Sequence, residues 1–168
     1  MNNKLSFFLL FLCFIELSFS QSLPEFQIKN TKNGNVTRDS VLKTKKVTVI
    51  NFWATWCQPC KDEMLEINRL KFQKEFKNIQ FVSISIDKKE NVESAKTWFL
   101  KHKLTWKLYL DTDQTLFSKI LSSTNNTSSQ IPLSIVINTN GELISLHQGF
   151  NQDEYRKELL EDIISIKE

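Results

Sequence analysis

The chain has 168 residues, 22 lysines and arginines against 19 acidic residues, and a formal charge of +3. So small a surplus does not imply a nucleic-acid partner, and this length suits one domain around a single core. The dense basic cluster of Lys43, Lys45 and Lys46 reads as a solvated turn ahead of a strand.

Met1 to Ser20 reads as a signal peptide: Lys4 in a short leading region, an apolar run from Leu5 to Ile15, then small residues at Ser18 and Ser20. Glu16 interrupts the run and leaves it short of the roughly 20 residues a comfortable membrane span needs. An uncleaved anchor is a second reading. A lipoprotein acylated on Cys13 is a third, against which bulky Phe11 and Leu12 stand where small residues are wanted. Cleavage after Ser20 removes Lys4 and Glu16 together, so the charge stays the same, and the remaining domain is 21–168. Export would place the cysteines where disulfides are made and exchanged.

From Pro24 to Ile28 apolar and polar residues alternate, and Asn33-Gly34 follows with Val36 beyond it, which predicts an N-terminal β-hairpin. Strands are then predicted at 47–53, 80–86 and 106–110, alternating with helices at about 59–77, 88–102 and 113–121. Such alternation argues for an α/β sheet covered on both faces. The stretch 122–130 is small and polar and reads as a mobile loop. Ile131-Pro132 leads into a strand at 133–137, and Asn140-Gly141 turns it into a partner at 142–148. Asn151 and Glu154 resemble a capping box for a closing helix with Tyr155, Leu159, Ile163 and Ile166 on one face.

The chemistry lies in Trp56-Cys57-Gln58-Pro59-Cys60, which ends the apolar strand from Val47 to Trp53 and opens a helix with proline in its first turn. A thiol at a helix N-terminus faces unpaired N–H groups and the positive end of the dipole, so its thiolate is favoured. Such positions bring a cysteine from about 8.5 down to roughly 3.5–7.5. Cys57 is therefore the expected attacking sulfur and Cys60 the resolving one. Structural zinc would need a second ligand pair, and His102 and His147 are isolated. A purely structural bridge over so short a loop would constrain the unfolded chain little. His102, at a helix end beside Lys101 and Lys103, and His147, mid-strand, are not expected to be catalytic.

The runs Pro24-Glu25-Phe26, Val49 to Cys60, Lys61-Asp62-Glu63 and Ile131-Pro132 resemble the exported thioredoxin-fold thiol-disulfide oxidoreductases of the TlpA/ResA/DsbE type. The resemblance covers essentially all of 21–168. It implies an α/β thioredoxin fold, a central mixed sheet flanked by helices, with an N-terminal β-hairpin extension and a central strand-helix insertion. It implies no cofactor beyond a redox-active Cys57–Cys60 disulfide. Cysteine-containing protein substrates are expected, often apocytochrome c, with an upstream membrane electron donor and a monomeric enzyme. It also implies a cis Ile131-Pro132 bond against the cysteines, with the backbone of Ile131 free to pair with substrate. Trp56, Gln58 and Pro59 are the other candidate substrate contacts. Leu65 stands where the family usually has proline, and the loop before Pro132 lacks the usual glycine; both departures touch the substrate side. Alternative functions are a disulfide-introducing oxidase and a copper- or zinc-binding module on the same fold.

Cytoplasmic thioredoxins carry a buried aspartate where this chain has Asn51, which makes Glu63 the replacement candidate. At about 100° per residue Glu63 falls on the stripe Cys60, Met64, Ile67, Leu70. Buried there, it would have a raised pKa suited to proton transfer; at the rim, it would be a solvated first-turn acid. The intact mass of the exported protein tests the leader: the expected chain begins at Gln21, whereas retained residues 1–20 or a diacylglycerol mass on Cys13 would indicate an anchor or a lipoprotein.

Overall fold

The computed structural model describes residues 21–42 and 44–166; the expected signal peptide, Cys13 and Lys43 lie outside the described residues. The elements in order are β1 (Gln21–Ser22), β2 (Gln27–Asn30), β3 (Asn35–Thr37), α1 (Arg38–Leu42), β4 (Thr48–Trp53), α2 (Gln58–Leu70), β5 (Gln80–Ser85), α3 (Val92–Lys101), β6 (Lys107–Leu110), α4 (Thr115–Ser123), β7 (Leu133–Ile137), β8 (Glu142–Gln148) and α5 (Gln152–Ser165). The strands form one mixed sheet in the order β1-β8-β7-β4-β5-β6-β2-β3. β4, β5 and β6 run parallel, while β7 is antiparallel to β4, and β2 is antiparallel to β6.

Alternation along β4 shows how the layers form. Ile50 and Phe52 point into a core shared with Leu116, Phe117 and Ile120 of α4 and Val41 of α1. Val49 points the other way, to Ile67 and Leu70 of α2 and Tyr155, Leu159 and Ile163 of α5. On that second face Trp53 joins Cys60, Met64 and the α3 residues Ala95 and Phe99. All six β4 residues are buried, as expected of a strand with helices on both sides. The hairpin at the other end of the sheet is β2–β3, with Ile28 opposite Val36.

Four local expectations are corrected. The helix predicted to reach residue 77 ends at Leu70, and a separate 3₁₀ turn covers Lys74–Phe76. At about 100° per residue, a continued helix would carry Phe76 roughly 180° from Ile67 and out of the core. The break lets Phe76 turn inward beside Phe81, ring centroids 6.5 Å apart, and leaves Phe72 exposed. The helix predicted from 88 begins as a 3₁₀ turn at Lys89–Asn91. The third helix starts at Thr115, after a left-handed Gln114, because the carboxylate of Asp111 accepts from the N–H groups of Leu116 (3.2 Å) and Phe117 (2.9 Å). The polar stretch expected as a loop from 122 gives its first residues, Ser122 and Ser123, to α4. Strand β1, paired with β8 at Leu143 and Glu142, and the short helix α1 had no periodic signal to announce them.

Helix α5 is capped by Asn151, whose side chain accepts from Asp153 N–H, and it buries Tyr155, Leu159 and Ile163. No helix among the described residues is long and apolar enough to cross a membrane. Leu159→Ala should cost about 2–5 kcal/mol in urea unfolding, because it opens a cavity between α5 and the sheet. Ile164→Ala, on the exposed side of α5, should stay within about 1 kcal/mol of the parent.

Candidate active site

β4, an interior strand, ends at Trp53, and two residues later Thr55 is pinned. The buried carboxylate of Asp87 accepts from Thr55 N–H at 2.9 and 3.1 Å and from the Thr55 hydroxyl at 2.7 Å, and Ser85 donates to it at 2.9 Å. This brace fixes where α2 begins. Cys57 is the N-cap, in extended backbone, and its sulfur accepts from the N–H of Cys60 at 3.2 Å. An N–H donor so placed at a helix N-terminus is the kind that stabilises a thiolate.

Cys57 and Cys60 are joined in a disulfide, Cα atoms 5.3 Å apart. Cys57 is 5% exposed and Cys60 0%, an asymmetry that matches an entering and a resolving sulfur. The Ile131-Pro132 peptide is cis, and the Ile131 carbonyl oxygen lies 3.7 Å from Cys57 Sγ. Around these atoms Trp56 is 67% exposed, and Gln58 and Pro59 are also open to solvent, with the Gln58 amide donating to Asp62 at 3.0 Å. Trp53, by contrast, is fully buried, tilted against Trp98 at 5.2 Å between ring centroids. The structure thus brings Trp56, Cys57, Gln58, Pro59 and Ile131 together on one rim, with buried Pro132 beside it.

Glu63 is completely buried, one helical turn beyond Cys60. Its carboxyl accepts from Ser134 Oγ at 2.8 Å and from Asn51 Nδ2 at 3.4 Å; Asn51 in turn accepts from Ser83 Oγ at 2.5 Å, and Trp106 Nε1 donates to Ser83 at 2.7 Å. Burial pushes the Glu63 pKa up to about 8, against the lowering effects of Ser134, Asn51, Tyr155 and the charge of His147. Tyr155 OH lies 3.3 Å from Ser134 Oγ; burial and then the charge of Glu63 drive its pKa well above the ordinary tyrosine value. The solvated-rim alternative for Glu63 does not hold. Ser134, Tyr155 and Asp87 were not singled out as site residues in the sequence. Ser134 and Ser83 were the available signal, being polar residues at inward positions of core strands.

His147 is nearly buried, its ring nitrogens 2.9 Å from Glu158 and 2.6 Å from Asp162. His102 stacks on Trp98, ring centroids 4.2 Å apart, with its Nδ1 2.8 Å from the Trp98 carbonyl oxygen. No group of three His, Cys, Asp or Glu side chains placed to hold a metal occurs among the described residues.

A carboxyl that binds its proton more tightly folded than unfolded destabilises the fold as pH rises. For Glu63 the window runs from about 4.5, the unfolded value, to about 8. Its contribution is complete below that window and lost across it, by an amount on the order of 4–5 kcal/mol at about 1.4 kcal/mol per unit. Glu63→Gln should therefore gain stability relative to the parent between pH 5 and pH 9 in urea titrations. A constant difference across that range would show that Glu63 does not titrate in the fold.

The comparisons with known proteins agree with this geometry. The AhpC/TSA family model matches residues 19–145. The thioredoxin-like protein YneN of Bacillus subtilis is 30% identical over 131 residues, 77% of this chain and 71% of the relative. The thiol-disulfide oxidoreductase ResA of the same organism is 28% identical over 134 residues, 79% of this chain and 69% of the relative. Among solved structures, a thiol-disulfide oxidoreductase from Bacteroides fragilis is 26% identical, with a TM-score of 0.62 over 83% of this chain and 99% of that one. With a disulfide at a helix N-terminus, a cis-proline beside it and these relatives, the chain belongs to the AhpC/TSA family, as a thioredoxin-fold thiol-disulfide oxidoreductase of the TlpA/ResA/DsbE type.

Proposed function

We propose that the protein works outside the cytoplasm as a reductase of disulfides in cysteine-containing proteins, with apocytochrome c as one substrate class. It is exported by the leader 1–20, acts as a monomer without a cofactor, and is recharged by a membrane electron donor. The Cys57 thiolate attacks a substrate disulfide and forms a mixed disulfide, releasing one substrate thiolate. Cys60 then attacks the Cys57 sulfur, releasing the second substrate thiolate and closing the internal disulfide. The substrate gains two electrons, and the enzyme loses two. Trp56, Gln58, Pro59 and the backbone of Ile131 at Pro132 line the contact with the substrate chain.

The observation that carries the reducing direction is the buried Glu63 carboxyl, one turn from Cys60. A couple becomes oxidising when its thiolate is strongly stabilised, as in DsbA. Above about pH 8, where Glu63 is ionised, a carboxylate in a dry site opposes a nearby thiolate and pulls the couple toward the reducing side. Its raised pKa also suits it to move a proton during exchange.

The equilibrium potential of the Cys57/Cys60 couple against glutathione tests the direction. The expected value lies nearer thioredoxin, about −270 mV, than DsbA, about −120 mV; a value at the DsbA end would make the protein an oxidase. Cys57→Ser should abolish exchange and Cys60→Ser should trap mixed disulfides, whereas faster alkylation of Cys60 than of Cys57 near neutral pH would reverse their roles. If Glu63 is ionised when Cys57 titrates, Glu63→Gln should lower the apparent Cys57 pKa, and the loss of proton transfer should slow exchange. An unchanged thiolate titration with unchanged exchange rates would remove Glu63 from the mechanism.

A further inference from the structure

The cluster between β8 and α5 has no part in the reaction as described above. His147 sits at the middle of it with both ring nitrogens committed to carboxylates, Nδ1 to Glu158 at 2.9 Å and Nε2 to Asp162 at 2.6 Å. Ser145 Oγ also donates to Asp162 at 2.5 Å and lies 3.1 Å from His147 Nε2. Both nitrogens of a histidine can donate only when the ring is an imidazolium. The carboxylates therefore hold a cation in place, and although burial opposes it, Asp162 and Glu158 raise the His147 pKa above its ordinary value.

The sheet register connects this cluster to the active site. His147 of β8 stands directly opposite Ser134 of β7, and directly opposed residues of an antiparallel pair project to the same face with Cβ atoms about 4.5–5.5 Å apart. Ser134 is the residue that donates to Glu63 at 2.8 Å. Tyr155, 3.3 Å from Ser134, lies on α5 one turn before Glu158 and two before Asp162. Glu63 and Ser134 are 0% exposed and Tyr155 is 2% exposed, so little water stands between the two carboxyl environments. Charges interact more strongly across such a medium than across water.

We propose that the His147–Glu158–Asp162 cluster is the charge partner of Glu63, a second titrating site that sets the pH range over which the cysteine pair is tuned. The proposal rests on the reading of Glu63 as the group that tunes that pair. With the imidazolium present, its positive charge favours an ionised Glu63; once His147 loses its proton, that charge is gone and the two carboxylates beside it are left uncompensated. Glu63 then holds its proton to higher pH. The other groups facing Glu63 are Asn51 from β4, Ser134 from β7 and Tyr155 from α5. On its own helix Glu66 is engaged by Arg69 at 3.1 Å. Facing His147 are Glu158, Asp162, Ser145 and, beyond Ser134, Glu63. His147 is a positioning residue here: it touches neither sulfur nor substrate and acts through Glu63.

Carbon-13 NMR titration of the Glu63 carboxyl and the His147 ring in the full oxidised chain tests the coupling. In the parent, the Glu63 signal should show an inflection at the His147 midpoint, because coupled groups titrate together. His147→Gln should raise the Glu63 midpoint by about half a pH unit or more, and Glu63→Gln should lower the His147 midpoint by a similar amount. If His147→Gln fails to fold, the Glu63→Gln arm still reads the coupling from the other end. Midpoints that ignore both substitutions, with no shared inflection in the parent, overturn the proposal and leave the role of Glu63 intact. The Cys57 thiolate titration of the reduced variants separates the two ideas. In His147→Gln it should shift, and it should not shift further when His147→Gln is added to Glu63→Gln. A coupled Glu63 and His147 with a Cys57 titration indifferent to both substitutions overturns the proposal through the Glu63 reading itself.

Discussion

The structure depends on β4 being dry on both faces up to its last residue. Each of its six side chains is buried, and of its two polar members Thr48 donates to the Lys46 carbonyl at the strand's start, while Asn51, in the middle, cannot find water and must bond inside the protein. It does so with Ser83 and Glu63, and that requirement draws a carboxyl into the core beside the cysteine helix. The same strand, by ending at Trp53, forces the chain to reverse into α2 within a few residues. The Asp87 brace on Thr55 settles that reversal, and the Cys57 sulfur is left at the helix N-terminus. Dry strand, buried acid and N-terminal thiol are consequences of one placement.

The polar interior is distributed over five elements. Glu63 comes from α2, Asn51 from β4, Ser83 from β5, Ser134 from β7 and Tyr155 from α5. A half-satisfied network of this kind would be costly in a low-dielectric core, and here each carboxyl oxygen of Glu63 has a donor. Burial still outweighs those donors in setting proton affinity, which is why the acid is held near neutrality rather than at the ordinary glutamate value. An acid in that condition can respond to a charge beyond its immediate contacts.

Much of this was legible in the sequence where a periodic signal met a specific motif. The alternation of strands and helices gave the layered sheet. The run from Val49 to Cys60 gave the site, and the stripe of α2 placed Glu63 inward. Reading failed where the controlling contact follows no helical or strand period, whether it lies a few residues away or across the chain. The end of α2 is decided by the burial of Phe76 against Phe81, the start of α4 by Asp111, and the strand β1 by a partner more than a hundred residues away. None of these has a local period.

The sequence by itself determined the reaction class, because two thiols spaced across the first turn of a helix after an apolar strand can close on each other and have a favoured thiolate at the leading position. It also determined that Glu63 shares the face of Cys60, since helical spacing is a property of the chain alone. Only the tertiary structure decided what that carboxyl meets. Ser134 lies 71 residues beyond Glu63 along the chain. His147 is set opposite Ser134 by the β7–β8 register, and α5 folds back to bring Tyr155, Glu158 and Asp162 over both. Proton affinity depends on burial and on neighbouring charge, and these exist only once separate segments have packed together.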